Sequence, residues 1–92
     1  MIKLYTNGKD DHYSDKIREW FGKYGIEWEE VVINNITESE RLTLQTELNG
    51  VKLKGPTVAG FSRIWSYLEV TRRPRVICEE LIWLGANNGN TV

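Results

Sequence analysis

The opening of this chain alternates an extended apolar run with a helical one, twice, and no other feature narrows its fold as much. Ile2 to Thr6 is short, apolar and stopped by Asn7-Gly8, a strong turn signal, so it reads as a buried strand. The polar stretch Lys9 to Asp15 offers several helix caps. Behind it, Ile17, Trp20, Phe21 and Tyr24 recur at i, i+3, i+4 and i+7, which places them on one helix face, and Gly25 is suited to stop that helix. Ile26 to Ile33 reads as a second strand, broken by Asn34-Asn35. Thr37-Glu38-Ser39-Glu40 is a capping box, and the helix it opens presents Arg41, Leu42, Leu44 and Leu48 before Asn49-Gly50 closes it. Two strand–helix units in about 50 residues imply a parallel strand pair joined by a right-handed crossover.

The second half carries mixed signals. Val51-Lys52-Leu53-Lys54 alternates, Gly55-Pro56 interrupts, and Thr57-Val58-Ala59 reads as a third strand. Between Phe61 and Val70, the residues Phe61, Ile64, Trp65 and Leu68 have helical spacing, while Ile64, Ser66, Leu68 and Val70 alternate as a strand does. A lone third strand would leave an open edge, so the expectation is a fourth strand returning antiparallel after a turn at Gly60. Thr71-Arg72-Arg73-Pro74 opens a last helix with Pro74 near its first position, an Ile77, Leu81, Leu84 stripe, and an end at Gly85. The expected fold is α/β: one domain over 1–85, a small mixed four-stranded sheet flanked by three helices, and a frayed tail over 86–92.

Composition excludes several classes of function. A 92-residue chain fits one domain, and its four Trp and four Tyr must fill much of a modest core. A net charge of −1 gives nothing global to attract nucleic acid or a membrane surface. The charge is uneven, however. Six glutamates face one arginine between Glu27 and Glu47, and four arginines face one glutamate between Arg63 and Arg75. These are either two solvated faces or, for the basic one, a patch placed for an acidic partner. The single cysteine, Cys78, rules out an intrachain disulfide and suits a reducing compartment. Met1 to Tyr5 has no signal-peptide architecture and no apolar stretch approaches a membrane span, so a cytoplasmic location is expected.

Four segments in this order resemble the glutaredoxins of the thioredoxin superfamily. Met1-Ile2-Lys3-Leu4-Tyr5-Thr6 is similar to their first strand, and Tyr13-Ser14-Asp15-Lys16-Ile17 to the second half of the Cys-Pro-Tyr-Cys site and its helix. Tyr24-Gly25-Ile26-Glu27-Trp28-Glu29-Glu30-Val31 is similar to the join that follows, and Gly55-Pro56-Thr57-Val58 stands where the family has its cis-proline loop. The resemblance implies a thioredoxin-like fold over most of the chain. On the Cys-Pro-Tyr-Cys positions, however, stand Asp11-His12-Tyr13-Ser14. Asp11 keeps a negative charge at a helix N-terminus but cannot form a mixed disulfide, and no cysteine occurs before Cys78. Dithiol–disulfide oxidoreductase activity is therefore not expected.

The resemblance makes Asp11, His12, Tyr13, Ser14, Pro56, Thr57, Val58, Arg72 and Arg73 the candidate ligand groove. Each residue also has a plainer reading. Asp11 and Ser14 serve as helix caps and first-turn residues. His12 has no Cys or His partner nearby for a metal. Gly55 before Pro56 fits a tightly bent backbone. Backbone beside the family's proline pairs with glutathione or an extended peptide, a contact that needs no side-chain chemistry. Arg72 and Arg73 fall near the start of the last helix, where the glutaredoxins hold a glutathione carboxylate, so the resemblance implies an anion site there. Helix N-terminal amides plus arginine suit a carboxylate, and two arginines oppose the helix dipole at that end. Cys78 reads as a small buried hydrophobe, and an exposed Trp would mark a partner surface.

The expected function is that of a redox-inactive, glutaredoxin-like binding or regulatory module acting through a protein partner. No catalytic, metal or cofactor residue is expected. Phages and mobile elements encode small degenerate relatives of this kind, so the expected partner is a phage or host protein. The alternative is a glutathione-binding, transferase-like protein with Ser14 or Tyr13 beside the thiol. A third reading, thiol chemistry at Cys78, has nothing in the sequence to activate it.

Overall fold

A computed structural model of the chain describes residues 2–7, 12–34, 36–51, 53 and 55–89. Among them lie β1 (Ile2–Thr6), α1 (His12–Lys23), β2 (Trp28–Val32), α2 (Glu38–Glu47), β3 (Thr57–Gly60), β4 (Arg63–Trp65), α3 (Tyr67–Arg72) and α4 (Pro74–Gly89). The sheet order is β2-β1-β3-β4: β2 runs parallel to β1, β3 antiparallel to β1, and β4 antiparallel to β3. The chain is thus a small α/β domain around a mixed four-stranded sheet. Among the described residues no helix is long and apolar enough to cross a membrane.

Strand alternation divides the interior in two. Leu4, Val58 and Trp65 point to one face, where they meet Ile17 and Phe21 of α1, Val70 of α3 and Ile77, Cys78 and Leu81 of α4. Tyr5, Ala59 and Ile64 point to the other, where they meet Ile33, Leu48 and Leu53. The α1 stripe is realised as its spacing predicts: Ile17 and Phe21 are fully buried, Trp20 and Tyr24 pack around them, and Gly25 takes the left-handed φ of +66° that ends the helix. Burying Ile17 and Phe21 stabilises the fold by roughly 1.5–3 kcal/mol each. Thr37 caps α2 as expected, its hydroxyl accepting from the Glu40 amide at 3.1 Å.

The segment from Phe61 to Val70 departs from expectation. The chain turns at Phe61-Ser62 instead of Gly60, forms only three strand residues, and becomes α3 after Ser66. Ser66 holds the extended backbone of an N-cap, its carbonyl accepts from the Val70 amide at 3.0 Å, and Val70 turns inward. Among the described residues the sheet is therefore flanked by four helices instead of three. Arg73 separates α3 from α4. Pro74 bars it from helical backbone, and its carbonyl starts α4 by accepting from the Ile77 amide. Pro74 is the first residue of α4 as expected, but Thr71 and Arg72 belong to α3.

Gly85 does not end the last helix. A glycine inside a helix costs only about 1 kcal/mol, and α4 continues to Gly89, with Asn87 Nδ2 donating to the Trp83 carbonyl at 2.8 Å. Residues 86–89 of the expected tail are thus helical, and 90–92 lie outside the described residues.

Candidate functional site

The eight described candidate residues fall into two places. At the first, the pairing of Tyr5 with Thr57 sets the start of β3 at the C-terminal end of β1, the end from which the chain passes to α1. His12 and Tyr13 open α1 there, exposed, with their rings edge to face and centroids 5.6 Å apart. Asp11 lies outside the described residues.

Most of the remaining groove residues face inward. Ser14 is 1% exposed because it continues the α1 stripe: 14, 17, 21 and 24 share one face, a spacing already present in the sequence. Pro56, Thr57 and Val58 are buried beneath α3, and the Thr57 hydroxyl donates to the Gly55 carbonyl at 3.2 Å. The Gly55–Pro56 peptide is trans, not cis as the resemblance implies. Gly55 has a reason of its own: a Cβ there would stand 3.1 Å from the Tyr67 Cβ, so the glycine lets the start of α3 close onto this loop.

The second place is a cleft of about 420 Å³ between β4, α3 and α4. Arg72 and Arg73 line it together with Arg63, Leu68, Glu69, Val76 and Glu80, over a floor of Ile64, Trp65 and Ile77. None of the other described candidate residues lines it. Arg72 closes the C-terminal turn of α3, where a cation is favourable, so only Arg73 stands at the start of α4 as expected. Sequence reasoning missed Leu68, Val76 and Glu80. The basic run from Arg63 to Arg75 was the signal available, but it could not reveal that two helices fold that run around a cleft.

The electrostatics of the cleft are uneven. Glu80 is engaged: its carboxylate accepts from the Trp65 indole N–H at 3.1 Å and pairs with Arg63 at 3.7 Å. The Arg63 guanidinium also lies over the Trp65 ring, 5.6 Å from its centroid. Beyond the cleft on α4, Trp83 is 63% exposed, whereas Trp65 is buried and Trp20 and Trp28 are half-buried.

Cys78 sits in the core between the sheet and α4, fully buried, and that burial, with a smaller contribution from Glu79, pushes its thiol up to about 11. The thiolate needed for nucleophilic or redox chemistry is thus suppressed at the chain's single cysteine. Among the described residues no group of three or more His, Cys, Asp or Glu could hold a metal ion. No protein-family model matches the chain, and neither a curated protein nor a solved structure matches it.

Proposed function

We propose that this chain is a thioredoxin-like domain of the glutaredoxin kind that has lost thiol chemistry and works as a binding or regulatory module on a protein partner. The observation that carries this reading is the state of its single cysteine, sealed in the core with its thiol held at about 11. On the resemblance, Asp11-His12-Tyr13-Ser14 stand in the sequence where the family has its nucleophile, so the small mixed-sheet domain would retain a scaffold and surfaces but no reactive sulfur. Trp83, Leu68 and Val76 supply exposed apolar area of the sort that partners cover.

The glutathione-binding alternative has less support. It needs a hydroxyl facing the ligand's thiol, and Ser14 is turned into the core, while Pro56, Thr57 and Val58 are buried. Tyr13 alone of that pair is exposed.

Titrating the ¹⁵N-labelled protein with millimolar glutathione, alongside an assay for glutathione-dependent disulfide reduction, tests the reading. The expected result is no turnover and no amide shifts at Tyr13, Thr57 or Val58. Turnover, or saturable shifts clustered at those amides, would overturn it in favour of a glutathione protein.

A further inference from the structure

We infer that the cleft between β4, α3 and α4 receives an acidic, extended peptide segment of the partner protein, with Arg72 and Arg73 taking its carboxylates. The inference rests on the binding-module reading and gives it a surface and a ligand chemistry. Arg63 and Arg75 are engaged, by Glu80 and Glu79 respectively. Arg72 and Arg73 differ: both are exposed at the cleft, and among the described residues neither side chain has a hydrogen bond or an ion pair. Glu69, on α3, stands three positions before Arg72 and four before Arg73, and among the described residues it pairs with neither. Glu80, the other carboxylate of the cleft, is already held by Trp65 and Arg63. Two unpaired guanidinium groups, each able to grip a carboxylate through two parallel N–H donors, are thus left facing the open side.

The rest of the cleft selects among anions. Leu68 and Val76, 47% and 42% exposed, flank the arginines and offer an aliphatic side chain a place to rest. A free phosphate or a bare polyanion would satisfy the arginines but leave that apolar surface wet. An acidic peptide satisfies both features at once. Its backbone also has a partner: among the described residues β4 is an edge strand of the sheet with no strand on its outer side, and Arg63, Ile64 and Trp65 run along the cleft. Strand addition at such an edge uses main-chain hydrogen bonds for affinity and the flanking side chains for specificity.

The test is an amide-shift titration of the labelled full chain with the acetylated peptide amide Glu-Leu-Glu-Asp, compared with Gln-Leu-Gln-Asn and Lys-Leu-Lys-Lys. We expect the acidic peptide to shift Arg63–Trp65 and Leu68–Ile77 (apart from Pro74, which has no amide), with an affinity that falls as salt is raised. The neutral and basic peptides should not bind. The exposed double variant Arg72→Glu/Arg73→Glu, checked for an unchanged fold by its own amide spectrum, should raise Kd by about tenfold or more. Leu68→Ser should weaken binding without altering its salt dependence. The inference is overturned if the acidic peptide produces no shifts, if the neutral peptide binds as well, if the double variant binds unchanged, or if an oligothymidylate of equal charge competes on equal terms. Glutathione turnover by the same sample would remove the binding-module reading. Loss of peptide binding without turnover would remove only this cleft.

Discussion

Arg18, in the middle of α1, grips Glu30 of β2 through two parallel hydrogen bonds, Nε to Oε1 at 2.8 Å and Nη2 to Oε2 at 3.0 Å. The same guanidinium donates to Asp15 one turn earlier at 2.7 Å, and the buried Thr6 hydroxyl of β1 donates to Glu30 at 3.0 Å. Three elements of the first β-α-β unit therefore meet at one carboxylate. The side chains of Arg18 and Glu30 are 27% and 29% exposed, so water screens the pair less than it would a fully solvated one.

The pairing makes stability depend on acid. The hydrogen bond from Arg18, aided by that from Thr6, outweighs partial burial and holds the Glu30 carboxyl below its ordinary value of 4.5. A lowered carboxyl contributes stability that is complete above the unfolded value and is lost as pH falls through the folded one. Urea midpoints should therefore decline below the ordinary glutamate range, and more steeply for the native chain than for Glu30→Gln. At neutral pH that variant should lose about 1 kcal/mol. Equal acid slopes for the two proteins would show that the contact adds nothing in solution.

A second prediction concerns the β3–β4 turn. Phe61 and Ser62 have φ of +51° and +63°, between the paired residues Gly60 and Arg63. Two positive φ values across a two-residue loop are the pattern of a type I′ turn, which favours Asn-Gly. Here it is built from a bulky aromatic and a serine, and Phe61 closes over an apolar hollow with Ile2, Ile26 and Trp28. Ser62→Gly should remove a left-handed penalty of about 1–2 kcal/mol, part of which the entropy of glycine takes back. The net expectation is a gain of about 0.5–1 kcal/mol in thermal or urea unfolding. Ser62→Ala keeps the strain and should give none.

This turn also explains where the sequence stopped being legible. The α1 stripe, the Thr37 cap and the parallel β1–β2 pair could be read because each depends on neighbours three to five positions away or on a simple alternation. Phe61-Ser62 carries no turn chemistry, and the break between α3 and α4 is a single residue, Arg73, set by the proline after it. A two-period pattern over Phe61–Val70 therefore had two valid readings, and tertiary burial of Val70 chose the helix. The candidate site was legible in part. Arg72 and Arg73 stood out by charge, but Ser14, Thr57 and Val58 were drawn outward by analogy although their spacing points inward. Arg18 and Glu30 lie 12 residues apart with no motif between them, so their contact exists only in the fold.

Cys78 should behave as a core residue. With its thiol pushed to about 11 by burial, it should resist alkylation at mildly basic pH in the native protein and react rapidly once urea unfolds the chain. The protonated thiol supports the fold fully below its ordinary value of 9.0, and that support is lost as pH rises through about 11. Cys78→Ala should remain folded, at a cost of about 1 kcal/mol for the lost volume, whereas Cys78→Asp buries a charge and should unfold the domain. Fast native alkylation at a rate independent of urea would mean that α4 opens readily.

Gly55 and Gly50 give a paired test of why each glycine is needed. At Gly50 the backbone is left-handed, φ +79°, and a Cβ would meet nothing within 4 Å, so Gly50→Ala should cost about 1 kcal/mol through backbone strain alone. At Gly55 no left-handed backbone is involved; instead the new Cβ would press on the Tyr67 Cβ at 3.1 Å, and neither atom sits at the end of a flexible chain. Relief requires the start of α3 to move away from β3, so Gly55→Ala should cost about 1–3 kcal/mol. It should also shift the amides of Leu68 to Arg73, which Gly50→Ala should leave in place. Because α3 forms one wall of the arginine cleft, Gly55→Ala should weaken the acidic peptide as well, although it touches none of the cleft's side chains. Equal amide spectra and equal peptide affinities for the two variants would show that α3 is not held by its contact with Gly55.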